Sequence, residues 1–267
     1  MTLVTIKLKE NLKKKKVIKI ISGLSNFNLA SIIKTIKAAE ISGATYIDVA
    51  SNPKLVKVLK STTNLPICVS SIEPKDLYCC LLAGADILEL GNYDVFYSKG
   101  ISFSAFQIVN LVNEIKSFSK DKLLCVTIPH NLLLQDKVYL AQTLYKAGVV
   151  MVQTEGSIAK NKSFSSHESL ILQTTNSSSS ALSTSYAISK YTDMPVIASS
   201  GINSVSAPIA ISYGASGVGI CSSLSNYNSI FQKVDYINQV ISSINMFKSQ
   251  QTFYNIQTLI KNDLTNV

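Results

Sequence analysis

The chain of 267 residues has no arginine and no tryptophan, and its only histidines are His130 and His167. All 25 basic residues are therefore lysines. Without arginine there is no bidentate fork for guanine or backbone phosphate. The one dense positive run is Lys13–Lys16, and the other lysines are spread over helical segments, as on solvated helix faces. Despite the net charge of +9, a nucleic-acid partner is not expected. A basic nucleic-acid-associated protein remains a second alternative, resting on Lys13–Lys16 alone. No apolar run has the ~20 residues of a membrane span. The opening MTLVTIKLKENLKKKK lacks the apolar core of a signal peptide and, with Glu10 and no arginine, is unlike a transit peptide. The expectation is a soluble protein that works in the compartment where it is made.

Cysteine is sparse and unpatterned. Cys68, Cys79, Cys80, Cys125 and Cys221 form no C-x-x-C, and three of them sit in apolar strand-like runs. They read as buried thiols of a reducing compartment. Zinc needs clustered cysteine and histidine, so no metal site is expected. Charged residues make up only 15% of the chain and hydrophobic ones 46%, which excludes disorder over most of its length. Richness in Lys, Asn, Ile and Ser beside missing Arg and Trp has the look of AT-rich coding, as in an organelle genome.

What is present is an alternation. Short apolar runs VIKIIS (17–22), ATYIDVA (44–50), PICVSSI (66–72), ADILELG (85–91), LLCVTIP (123–129), VVMVQTE (149–155), PVIASS (195–200) and SGVGICSS (216–223) are each followed by a helix-length stretch. Continuously apolar strands are those of a parallel sheet buried on both faces. Eight such units predict a single (β/α)8 barrel of the TIM type. A doubly wound open sheet is discounted, because Ser22–Asn26 is not a G-x-G-x-x-G turn. Gly43-Ala44, Gly84-Ala85 and Gly214-Ala215, with Ala147-Gly148 reversed, close helices ahead of strands two, four, eight and six. The barrel is assigned to residues 17–250, with a 1–16 extension at its bottom or side and 251–267 as a tail or helix end. Residues 156–177 read as the longest irregular stretch, a lid or a plain insertion on the catalytic face.

Barrel enzymes place reactive groups at the carboxyl ends of their strands. Asp48 shares a face with Tyr46, Glu89 with Ile87, and Glu155 with Gln153 and Met151, by the strand period of two. If Asp48 and Glu89 point inward, two carboxylates meet and divide acid and base roles. His130, after Pro129, is a candidate proton shuttle. Asp48, Glu89, His130 and Glu155 are thus the candidate catalytic groups. Lys19 alternates with Ser22; with Ser22 inward, Lys19 faces the helices and extends its amine to solvent. Turned inward, it is a Schiff-base candidate.

The stretch IASSGINSVSAPIAISYGASGVGICSS (197–223) holds Gly and Ser at two adjacent strand ends, where barrels bind phosphate through backbone amides. The candidate phosphate site is Ser199, Ser200, Gly201, Cys221, Ser222 and Ser223. Ser200 and Cys221 stand where glycines usually let the phosphate approach.

The blocks IISGLSNFN, YIDVASNP, PICVSSIEP, LELGNYDVFY, VTIPH, VQTEG and ASSGINSVSAPIAISYGASGVGICSS resemble the hypothetical chloroplast reading frame family number twenty-three, over roughly residues 15 to 245. The resemblance implies a chloroplast location, with organelle encoding, and a barrel grouped with ribulose-phosphate-type phosphate-binding barrels. It implies no particular reaction. The combined expectation is a stromal barrel binding a small phosphorylated metabolite or a flavin-type phosphate such as flavin mononucleotide. Its chemistry would be isomerase, epimerase or lyase-type acid–base work. The alternative is a non-catalytic ligand-sensing or regulatory barrel.

Overall fold

The structure is a computed structural model that describes residues 2–97, 99–120, 122–156 and 170–265. Its elements run α1 (Leu3–Lys13), β1 (Val17–Ile21), α2 (Leu29–Ile41), β2 (Tyr46–Ala50), α3 (Pro53–Lys60), β3 (Ile67–Ser71) and α4 (Pro74–Leu82). They continue with β4 (Ile87–Leu90), α5 (Asp94–Tyr97), α6 (Ala105–Phe118), β5 (Leu123–Ile128), α7 (Leu134–Lys146), β6 (Met151–Thr154) and α8 (Leu170–Tyr191). The chain then forms β7 (Val196–Ala198), α9 (Ser206–Ser212), β8 (Gly217–Ile220), α10 (Ser222–Ser225) and α11 (Ile230–Thr265). The eight strands pair in parallel in chain order, and β8 closes on β1 with Lys19 opposite Gly219. This is a (β/α)8 barrel.

Local chemistry sets the helix starts. Asn28 and Asn52 accept from the amides of Ser31 and Leu55 as N-caps, and Pro53 fills the first position of α3. Ser104 and Gln107 form a reciprocal capping box on α6. The four glycines that close helices before β2, β4, β6 and β8 all have positive φ, as expected just past a helix end.

Alternation divides the strand residues between two cores. Ile20, Ile47, Val49, Val69, Leu88, Val126 and Val152 face the helices. Val17, Tyr46, Cys68, Ile87, Leu123, Cys125, Met151 and Ile197 fill the lower barrel interior, where Leu8 and Leu12 of α1 close it from below. The N-terminal helix is thus a plug for the bottom. Lys248 of α11 ties it down by donating to the carbonyls of Lys14 and Lys15.

One boundary differs from expectation. The helix expected near Ser178 begins at Leu170, and residues 157–169 of the expected irregular stretch lie outside the described residues. Ser and Thr disfavour helices by competing for backbone groups. Here Ser177 and Ser178 instead turn their hydroxyls back onto the Thr174 carbonyl, at 3.1 and 2.7 Å, within the helix. At the other end, α11 runs through residue 250 to Thr265 without a break. Among the described residues, no helix is long and apolar enough to cross a membrane.

Candidate active site

The side-chain layer above the apolar floor is polar and charged. Lys19 points into the barrel, which overturns the expectation that it faces the helices. Ser22 lies beyond the end of β1 and donates to the Asp48 carbonyl at 3.2 Å, so it does not set the inward face of the strand. The Lys19 ammonium has three acceptors: Asp48 Oδ2 at 2.7 Å, Glu89 Oε2 at 2.6 Å and Gln153 Oε1 at 2.7 Å. Around them, Ser70 Oγ donates to both Asp48 oxygens at 2.8 and 2.9 Å. Thr127 Oγ1 and Gln153 Nε2 donate to Glu89 Oε1 at 3.0 and 2.9 Å. Each of strands β1 to β6 supplies one charged, amide or hydroxyl group to this network, β3 through Ser70 bonded to Asp48.

The Lys19 and Asp48 side chains are fully buried and Glu89 almost so. One cation faces two carboxylates in a region of low dielectric, where a net charge is costly. Burial alone would lower the Lys19 pKa, but the Asp48 and Glu89 carboxylates hold it well above the usual lysine value. Burial pushes the Asp48 carboxyl up to about 6, against the pull of Lys19 and with a further push from Glu89. The cluster therefore keeps its ammonium charged, while burial brings the Asp48 carboxyl to a pKa of about 6. Asp48, Cys68 and Glu89 also present three metal-type donor atoms within 4.8 Å of one another. The positive charge between the two carboxylates is the lysine's.

A second group stands nearer the mouth. Glu155 Oε2 accepts from Tyr97 Oη at 2.7 Å and from the His130 amide at 3.0 Å, and lies 3.1 Å from His130 Nδ1. The Tyr97 and His130 rings meet edge-on, with centroids 4.5 Å apart. Burial raises the Glu155 pKa, and the Tyr97 and His130 hydrogen bonds restrain the rise. Tyr93 holds this corner in place by donating to the Thr127 carbonyl at 3.0 Å and packing against Phe103.

The six residues expected to hold a phosphate follow the ends of two paired strands, β7 and β8. Ser199 is buried in the barrel beside Gly219, where a Cβ on the glycine would lie 2.8 Å from its hydroxyl. Ser200 and Gly201 both have positive φ, and Gly201 packs so closely on α8 that a Cβ would lie 2.4 Å from the Ser177 carbonyl. That glycine serves helix packing. Cys221 lines a cavity shared with the loop after β1, while Ser222 and Ser223 open α10. Lys13–Lys16 sit at the plugged end, away from all of these groups.

A family model described as "Protein of unknown function (DUF561)" matches residues 3–250. The chain belongs to this family. It is 48% identical over 245 residues to "Uncharacterized protein ycf23" of Antithamnion sp., covering 89% of this chain and 87% of that protein. The protein of the same name from Cyanophora paradoxa is 39% identical over 237 residues, covering 88% and 95%. These relatives give the DUF561 chain an organelle-encoded, plastid origin, in line with the resemblance carried by its strand-end blocks. Among solved structures, the DUF561 barrel is similar to 3-hexulose-6-phosphate synthase of Salmonella typhimurium. The TM-score is 0.60 at 12% identity, covering 86% of this chain and 99% of that one. It is also similar to orotidine 5'-phosphate decarboxylase of Pyrococcus horikoshii, with TM-score 0.59, 12% identity and coverage of 86% and 99%. Those likenesses show the fold.

Asp48, Glu89, His130 and Glu155 were legible as strand-end polar groups. The DUF561 residues missed were Lys19 in its inward role, Gln153 as its third acceptor, and Tyr97. The signal for Lys19 was its position two residues from Ile21 and from Val17, both interior by the strand period. Tyr97 ends the short helix α5, in a stretch that carries no strand-end signal in the sequence.

Proposed function

We propose that this protein is a stromal barrel that binds a small phosphorylated metabolite at the carboxyl ends of its strands and moves a proton on it. The reaction class is isomerisation, epimerisation or a lyase-type cleavage. The observation that carries this reading is Asp48, a fully buried carboxyl 2.7 Å from the Lys19 ammonium, whose pKa burial raises to about 6. A general acid or base works best with a pKa close to the operating pH.

Lys19 stays protonated, so its part is electrostatic rather than nucleophilic. Removing a proton next to a carbonyl builds negative charge on the carbonyl oxygen, and a fixed ammonium in a dry site stabilises that charge strongly. Of the three Lys19 acceptors only the Gln153 amide is uncharged, and it is less deeply buried than the two carboxylates, at 7% against 0% exposure. A substrate oxygen entering from the mouth would replace Gln153 Oε1 on the ammonium and come within reach of Asp48. Gly219 packs directly against Ser199 and Gln153, where a Cβ would lie 2.8 Å from the Ser199 hydroxyl, so the exchange requires Gln153 to swing aside. Glu89 remains the counter-charge to Lys19. The Glu155–His130–Tyr97 group is the second acid–base pair, at the mouth. Solved barrels of the same fold whose names include a phosphorylated compound support a phosphorylated ligand class.

The test is thermal unfolding against a panel of phosphorylated sugars and flavin mononucleotide. A ligand at a hundredfold its Kd stabilises by about 2.7 kcal/mol. An unchanged midpoint across the whole panel would overturn the reading. A ligand-sensing barrel is favoured by one observation: every donor of the Lys19 cluster is already satisfied internally. It would show the same stabilisation with no turnover.

A further inference from the structure

A cavity of about 290 Å³ opens between the loop after β1 and the turn after β8. It lies apart from Lys19, Asp48 and Glu89. Its lining charges are all positive: Lys34 of α2 and Lys233 of α11, with no aspartate or glutamate. Lys233 is only 5% exposed. Among the described residues its ammonium donates to a single acceptor, the Leu224 carbonyl, and pairs with no carboxylate. An ammonium has three N–H bonds to satisfy, and a buried charge without a counter-charge is costly. Burial pushes the Lys233 pKa down, and the charge on Lys34 pushes the same way.

The 13-residue helix α2 brings its amino end to the same cavity, which Ala30 and Ser31 line. Asn28 Oδ1 caps the Ser31 amide at 3.1 Å, and the amides of Leu29 and Ala30 have no acceptor within the helix. Free first-turn amides and the positive end of the helix dipole favour an anion. Two lysines without a carboxylate and a helix amino end converge on one small space. Their missing partner is negative, compact and rich in acceptors.

We propose that this cavity is the anion subsite of the barrel, taking the phosphate monoester of a small phosphorylated ligand between Lys34, Lys233 and the first turn of α2. It replaces the turn after β7, which is packed against α8. The strand β1 links the two regions: Lys19 points to the barrel centre, and Ile21, Ser22 and Gly23 edge the cavity. A short phosphorylated chain anchored there would extend towards Asp48. That last step rests on the proposed acid–base function; the anion site itself does not.

The experiment titrates inorganic phosphate into the full chain and follows backbone amides by 15N NMR. Saturable shifts are expected at Gly23, Ala30 and Ser31. Lys34→Gln, on an exposed position, is expected to weaken the phosphate Kd about tenfold, as for loss of one charge-assisted contact. Lys233→Met should weaken it at least as much. Lys37→Gln, one turn further along α2, should leave it unchanged. Shifts confined to Ser200, Gly201 and Ser222, or an unchanged Kd in Lys34→Gln, would overturn the subsite. If phosphate binds here but no phosphorylated metabolite stabilises the protein, the subsite stands and the acid–base function fails.

Discussion

Lys19 of β1 and Glu89 of β4 meet across the barrel interior, with Nζ 2.6 Å from Oε2. Asp48 reaches the same ammonium at 2.7 Å. Two anions and one cation, all buried, leave an excess negative charge that the low-dielectric interior resists. Protonation of Asp48, whose pKa burial raises to about 6, removes it as the pH falls. Packing and proton chemistry are thus one problem solved by one cluster.

Removing the cation should be severe. Lys19→Met strands two buried carboxylates and is expected to cost about 3–5 kcal/mol, read as a lower urea midpoint. The triple variant Lys19→Met, Asp48→Asn, Glu89→Gln should recover much of that loss, since no charge is then left unpaired. Equal destabilisation of the single and triple variants would mean that the charges are not coupled.

The pH dependence has an unusual sign for a carboxylate. The folded Asp48 pKa is raised from 3.8 to about 6, so the native state holds this proton more tightly than the unfolded chain. The stabilisation is complete below 3.8 and is lost as pH rises through about 6. Asp48→Asn keeps the acceptor and removes the titration. Between pH 4 and 7 the variant should gain on the wild type by on the order of 3 kcal/mol in denaturant unfolding. Parallel stability curves for the two proteins would contradict the assignment.

At the mouth, Tyr97 restrains the Glu155 carboxyl. Tyr97→Phe removes the 2.7 Å hydrogen bond and should raise the Glu155 pKa further, because burial then acts with less opposition. A 13C NMR titration of the Glu155 carboxyl reads this directly. A Tyr97→Phe shift to lower pKa would show that the hydroxyl is not a donor to the ionised form.

Two neighbouring residues should respond in opposite directions. Ser200 holds φ of 76°, a left-handed conformation that costs a residue with a Cβ about 1–2 kcal/mol. Ser200→Gly recovers part of that strain, offset by unfolded-chain entropy, for a net gain of ~0.5 kcal/mol. Gly201→Ala meets both a positive φ and the Ser177 carbonyl, and should lose ~2–3 kcal/mol. Unfolding midpoints of the two variants provide the check.

Most of the fold was legible because parallel strands buried on both faces are continuously apolar, and Asn28, Asn52-Pro53, Ser104 and the helix-ending glycines mark their connections clearly. The convergence of Asp48 with Glu89 followed from strand parity once the barrel was assumed. Lys19 was misread because Ser22 was taken to share the register of β1, although the strand has ended before it. The start of α8 was hidden because Thr174, Ser177 and Ser178 have loop propensity, and only tertiary packing holds them in a helix. The cavity at β1 and β8 was invisible in sequence. It joins Lys34 and Lys233, almost two hundred residues apart along a chain (about 200) whose closure brings α2 against α11.

The most direct measurement of the central claim is solvent deuterium exchange. The protein is incubated in D2O with the phosphorylated sugar that stabilises it most, and 1H NMR follows the carbon next to the carbonyl. Wild-type protein should wash deuterium into that position, and Asp48→Asn should bind the same compound yet exchange it at least a hundredfold more slowly, as for loss of a general acid or base (~10²-fold or more). Tight binding with no exchange above the protein-free rate in the wild type would contradict a proton-transfer function for Asp48.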